Sequence, residues 1–166
     1  MAFKDTSRKP FIEDRDTNIF IGLDLPIRRG DGKDGYFAST TTTIEAVKNN
    51  IRNLLLTQKG ERLMQPNLGM NLRKYLFEPL GEENDIVIRD DILDTINFWL
   101  PFVQVKDINI QSGFGSDGKM FDKPSIKVVV VFSIKQDPNT LESVQVSLKS
   151  TAGDVTPVAT GTGGGY

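Results

Sequence analysis

The stretch "IVIRDDILDTINFWLPFVQVKDINIQ", residues 86–111, changes its apolar period at a single residue. Before Pro101, Ile88, Ile92, Ile96 and Trp99 recur at helical spacing, so residues 86–100 predict an amphipathic helix. Pro101 stops it, because a prolyl ring cannot continue the helical hydrogen-bond ladder. Beyond it, Val103 and Val105, then Ile108 and Ile110, alternate as in a strand, with a slip at Lys106–Asp107 that suggests a bulge. A helix that runs straight into strand periodicity is the mark of an α+β domain.

The downstream sequence extends the strand pattern. "SIKVVVVFSI" (125–134) is a β-branched run suited to a central strand buried on both faces. "QDPNT" (136–140) has turn composition, and "LESVQVSLK" (141–149) alternates Val144, Val146 and Leu148 against polar neighbours. Upstream, "TTTTIEAVKNNIRNLLLTQKG" (40–60) sets Ile44, Val47, Ile51, Leu54 and Leu55 on one helical stripe. Thr42 with Glu45 forms a capping box at its start, and Gly60 suits the left-handed position just past its end. A shorter helix is expected over "MNLRKYLF" (70–77), ahead of Pro79. "GEEN" (81–84) reads as a turn, with Asn84 or Asp85 capping the helix that follows. "NIFIGLDLPI" (18–27) is strand-like, and the glycines of "RRGDGKDGYFA" (28–38) suit a loop or hairpin turn. The fold class is therefore α+β, with helices packed on one face of a small, mainly antiparallel sheet. One domain spans 18–149, flanked by a polar arm (1–17) and a glycine-rich tail (150–166) expected to be flexible.

Composition removes whole classes of chemistry. The 166 residues include no cysteine and no histidine. Disulfides, thiolate nucleophiles and Cys-type zinc sites are excluded, and the commonest general base and metal ligand is missing. A formal net charge of −2, with the signs mixed, creates no field for nucleic acid or anionic lipid. No apolar run approaches the ~20 residues of a membrane span, and the N-terminus lacks a signal peptide's apolar centre. A soluble cytosolic chain without cofactor or metal is the expectation.

Three patterns resemble active-site motifs. "GFGSDGKM" (113–120) contains G-x-G-x-x-G, but a strand with a proline at its entrance follows, where a phosphate loop needs a helix N-terminus. Met120 also stands where a P-loop needs Ser or Thr, so a long hairpin loop is the better reading of 113–124. The "DGKDG" loop (31–35) lacks the ligand spacing of a calcium site. Two acids suffice to cleave a glycoside, and Glu61, Glu78, Glu82, Glu83, Asp90 and Asp91 are candidates. A peptidoglycan hydrolase with Glu61 or Glu78 as proton donor is thus the enzymatic alternative. Caps and ion pairs account for the same acids at ordinary density.

The most specific stretch is "GERLMQPNLGMNLRKYLFEP" (60–79). Gly60, Pro66 and Gly69 fix a tight connection, and Glu61, Arg62 and Arg73 crowd the resulting elbow. Either an internal ion pair braces this elbow, or its guanidinium and carboxylate meet a charged partner.

"NLLLTQKGERLMQPNLGMNLRKYLFEP" (53–79) resembles the signature of the baseplate wedge proteins of contractile-tailed bacteriophages, whose relatives occur in type VI secretion baseplates. The compatible region runs from about 44 to 150. The family's Glu-Pro-Arg motif falls on Glu61, Pro66 and Arg73, with Gly60, Gly69, Phe77, Glu78 and Pro79 extending the match. The resemblance implies a non-enzymatic virion protein, assembled in the host cytoplasm, whose motif docks on the helical core of the wedge. It further implies likeness to the handshake domain of the tail sheath. The protein would then initiate the sheath, taking sheath strands at a sheet edge formed by 141–149 (Val144, Val146, Leu148) or by the strand from Val103. Six copies would ring the tail tube.

Overall fold

The computed structural model describes residues 13–16, 19–25, 27–30, 35–78, 82–112, 125–151 and 154–158. It contains two compact units, Met1–Asn49 and Asn50–Tyr166, whose boundary falls inside the first long helix.

In the first unit, β1 (Gly22–Leu23) pairs antiparallel with β2 (Ser39–Thr40). An isolated bridge joins Arg29 to Phe37, and the Gly30 amide donates to the Tyr36 carbonyl at 2.9 Å. The ten-residue strand expected over 18–27 thus contracts to a pair of residues, because its partner supplies only two ladder positions. Helix α1 (Thr43–Leu56) follows, and the Glu45 amide donates to Thr42 Oγ1 at 3.4 Å, as the capping box requires. A second cap comes from the segment expected to be a coreless arm. Buried Asp14 accepts from the Thr43 amide (2.7 Å) and the Thr43 hydroxyl (2.9 Å), setting a carboxylate against orphan donors at the helix start.

The second unit is built from the end of α1, helix α2 (Glu82–Trp99) and a meander of four antiparallel strands. These are β3 (Val103–Ser112), β4 (Ser125–Ile134), β5 (Asp137–Thr151) and β6 (Asp154–Val158), in that spatial order. Ile88, Ile92 and Ile96 of α2 retain no exposed surface, and burial of such side chains contributes about 1.5–3 kcal/mol each. Opposite residues share a face of an antiparallel ladder, and the register aligns Ile108, Val130 and Val144, then Ile110, Val128 and Val146. That face belongs to the core, where Phe132, Val128 and Val130 are fully buried. The bulge falls where the phase slips, between Val105 and Asp107.

Several expectations are corrected here. The 70–77 helix is a single 3₁₀ turn over Lys74–Phe77, closed by bonds such as Leu76 N to Arg73 O (3.2 Å). Eight residues make little more than two α-turns, too short to offset the cost of helix nucleation without packing that favours it. Helix α2 begins at Glu82, so "GEEN" is mostly helix and Asn84 and Asp85 lie inside it. Strand β4 is central but buried on one face only, with Val129 and Val131 half-covered on the other. Part of the expected flexible tail, Asp154–Val158, is strand β6, because β5 runs on to Thr151 and offers it a ladder.

Candidate functional site

Residues 60–69 lie in the second unit on a loop that closes on itself, and residues 70–78 lead from it through the 3₁₀ turn. Helix α1 ends at Leu56, and the Met70 amide returns to the Thr57 carbonyl at 3.0 Å. Inside that closure the Gly60 amide donates to the Pro66 carbonyl at 2.7 Å. Turns at Arg62–Gln65 and Gln65–Leu68 fill the remainder, giving a compact loop with adjoining ends. Gly60 and Gly69 both carry left-handed backbone, φ +90° and +98°. Gly60 does not end the helix directly, as the spacing had suggested. It lies four residues beyond, where it closes the loop.

The charged side chains point to different partners. Glu61 is exposed, and its Oε2 accepts from the Gln58 amide at 3.0 Å while the Glu61 amide returns to the Gln58 carbonyl at 3.1 Å. Arg62 reaches Asn53 Oδ1 at 3.4 Å. No ion pair joins Glu61 to Arg73 among the described residues, so the bracing-pair reading of the elbow is not what this structure contains. Arg73 is half-buried between buried Leu72 and the 3₁₀ turn, and its Nε is enclosed with no hydrogen-bond partner. An enclosed donor without an acceptor costs roughly 1–3 kcal/mol, more for a charged group. Glu78 forms a loose pair with Lys74 at 3.7 Å, Phe77 is exposed, and Pro79 lies outside the described residues.

Sequence reasoning missed the loop tip. Leu63 and Met64 are 97% and 94% exposed, the most solvent-bare of the large apolar side chains described. Their signal was two bulky apolar residues between a special glycine and a proline, outside any period. It also missed Tyr75, whose buried hydroxyl donates to an Asp91 carboxylate oxygen and so ties the elbow to α2. Burial, then the bond to Asp91 and its negative charge, push the Tyr75 phenol well above its usual range.

The sheet edges differ from the expectation too. Val144, Val146 and Leu148 are buried in the chain's own core, so only their backbone can serve another chain. Strand β5 is not an outer strand throughout, since β6 pairs with it over Ser147–Thr151 and stands beside Leu148. The far edge is β3, and it is obstructed at the bulge. Arg89 of α2 donates to the Ile108 carbonyl at 2.9 Å, and Asp107 accepts from the Ile108 amide at 2.9 Å. Bulges and charged side chains of this kind are how sheets close an edge to strangers. Among the described residues no three metal-binding side chains converge, and no helix is long and apolar enough to cross a membrane.

Comparison with known proteins adds the following. The family model for baseplate wedge protein gp25 matches residues 41–139, more than half of the chain. Baseplate wedge protein gp25 of Enterobacteria phage T4 is 21% identical over 132 residues, covering 80% of this chain and 92% of its own. Among solved structures, a chain of the anti-feeding prophage baseplate, determined with six-fold symmetry, has a TM-score of 0.55 at 23% identity, covering 68% of this chain and 83% of its own. A tail-lysozyme candidate from Geobacter sulfurreducens has a TM-score of 0.52 at 16% identity, covering 70% and 90%. At these identities the structural likeness speaks for the fold alone.

Proposed function

This chain belongs to the family of baseplate wedge protein gp25, and from that premise we propose that it is a structural component of a contractile-tail baseplate that performs no catalysis. The elbow around Glu61, Pro66 and Arg73 docks on other wedge subunits. The sheet edge of β5 receives a strand from the tail sheath protein and so initiates the sheath, as a handshake-like domain would. Six copies surround the tail tube in the virion, after assembly in the host cytoplasm.

One observation carries the docking half of this reading: the tip of the 57–70 loop leaves Leu63 and Met64 almost bare, and Arg73, three residues past its closure, has an enclosed Nε without a hydrogen-bond partner. Bare apolar side chains on a closed, built loop are what a subunit interface exposes when its partner is absent. For the strand half, the support is that β3's edge is obstructed and β5's is not obstructed in that way. The enzymatic reading has in its favour only likeness to the Geobacter tail-lysozyme candidate. Against it, Glu61 is engaged by the Gln58 amide on an exposed turn, with no apolar pocket around it.

The test is co-purification from lysate of cells expressing the whole tail. Arg73→Ala and the double change Leu63→Ser, Met64→Ser should each lower recovery of the other wedge proteins at least tenfold, with unchanged circular dichroism. Undiminished recovery contradicts the docking surface. Clearing of a peptidoglycan suspension that Glu61→Gln abolishes would establish the enzyme instead.

A further inference from the structure

Strand β6 occupies the side of β5 where the reading above places a partner strand, and it is built to hold that place weakly. It contributes five ladder positions, from Ser147–Val158 to Thr151–Asp154, and borders the sheet on one side only. Pro157, registered against Leu148, has no N–H to give to any ladder. Strand β5 is much longer, running from Asp137 to Thr151, and its pairing with β6 stops at Ser147. Strand β4, by contrast, is flanked on both sides along nearly its full length.

We propose that β6 is a placeholder strand: it covers the C-terminal part of the β5 edge in the free protein and is displaced by an incoming strand of another subunit. This rests on the strand-addition reading and adds a rule for when the edge is receptive. The occupant is an extended segment with apolar residues at every second position, in line with Val144, Val146 and Leu148 on the core face, and long enough to follow β5 past Ser147. A strand of that length makes pairings that five residues of β6 cannot reach, so exchange runs in its favour once it has begun. The placeholder also shields the C-terminal part of the β5 edge from edge-to-edge pairing in the free chain, while the bulge obstructs β3.

Two measurements test it. Hydrogen exchange of the full chain reads whether β6 detaches. Amides of β6 should exchange at least a hundredfold faster than those at the centre of β4, because a detaching strand opens without global unfolding. Equal protection overturns the proposal. The second uses the absence of cysteine: Lys149→Cys with Thr156→Cys places a thiol pair across the β5–β6 register. Antiparallel partners lie about 4.5–5.5 Å apart at Cα, within the span of a disulfide. With purified sheath protein of the same tail as the probe, the oxidised chain should nucleate sheath at least tenfold more slowly than the reduced one. A chain ending at Thr151 should nucleate faster than the full chain. If the locked chain nucleates as fast as the reduced one, β6 is not in the way and the proposal is wrong. If neither the reduced chain nor the shortened one takes up sheath, strand addition itself fails, whatever the exchange result says of β6.

Discussion

A methyl group at residue 69 would sit 2.2 Å from the Thr57 carbonyl oxygen and 2.8 Å from its carbon, with φ already in the left-handed region. The same carbonyl accepts the Met70 amide, so it cannot withdraw without opening the loop. At Gly60 the backbone is also left-handed, yet a methyl group would meet nothing within 4 Å. Gly60→Ala should therefore cost about 1 kcal/mol and Gly69→Ala about 3 kcal/mol or more, read from urea midpoints at constant slope. Equal costs would mean that the loop relaxes freely around residue 69. Both glycines were legible in the sequence as special positions, because glycine beside proline in an aperiodic stretch marks unusual backbone. What each does was not legible. Leu63 and Met64 escaped notice because exposure depends on how a loop folds, and no local pattern encodes it. Asp14 and Tyr75 escaped for a related reason: their partners, Thr43 and Asp91, are distant in sequence.

At the scale of elements, the stretch around Pro101 was read well because its two periods are long and uninterrupted. Ile88, Ile92 and Ile96 line the core as their spacing requires, and the bulge stands where the alternation slips. Short elements fared worse. β1, the 3₁₀ turn and β6 each hold too few residues for periodicity to show, and their form is set by the partner they meet. The second face of β4 was over-read, since a run of β-branched residues looks the same whether one face is covered or both. The obstruction of β3 also required the fold, because Arg89 and Ile108 come together only when α2 lies against the sheet. Arg89→Ala should release that carbonyl and expose the edge. The expected cost is about 1.5–3 kcal/mol of stability, with concentration-dependent self-association in sedimentation velocity. A monomeric, equally stable variant would show that the bulge alone closes the edge.

For the whole molecule, α+β architecture and family could be read from sequence, because a dense motif over 53–79 and a clear change of period both survive without coordinates. The distribution of surfaces could not. The fold sets out an exposed loop tip at Leu63 and Met64, an enclosed Arg73 nitrogen without a partner, an edge obstructed at a bulge and another bordered by the short strand β6. On the proposed function, these are the surfaces its neighbours would meet. The acids once considered for catalysis are spread over separate tasks: Glu61 on the Gln58 amide, Asp91 on the Tyr75 hydroxyl, Glu78 beside Lys74. The most direct measurement is an electron-microscopy map of the intact tail at side-chain resolution. We expect a neighbouring subunit to cover Leu63 and Met64, with an acceptor oxygen within about 3.5 Å of a terminal guanidinium nitrogen of Arg73. A map in which the 60–69 loop faces solvent and Arg73 meets only its own chain would contradict the account.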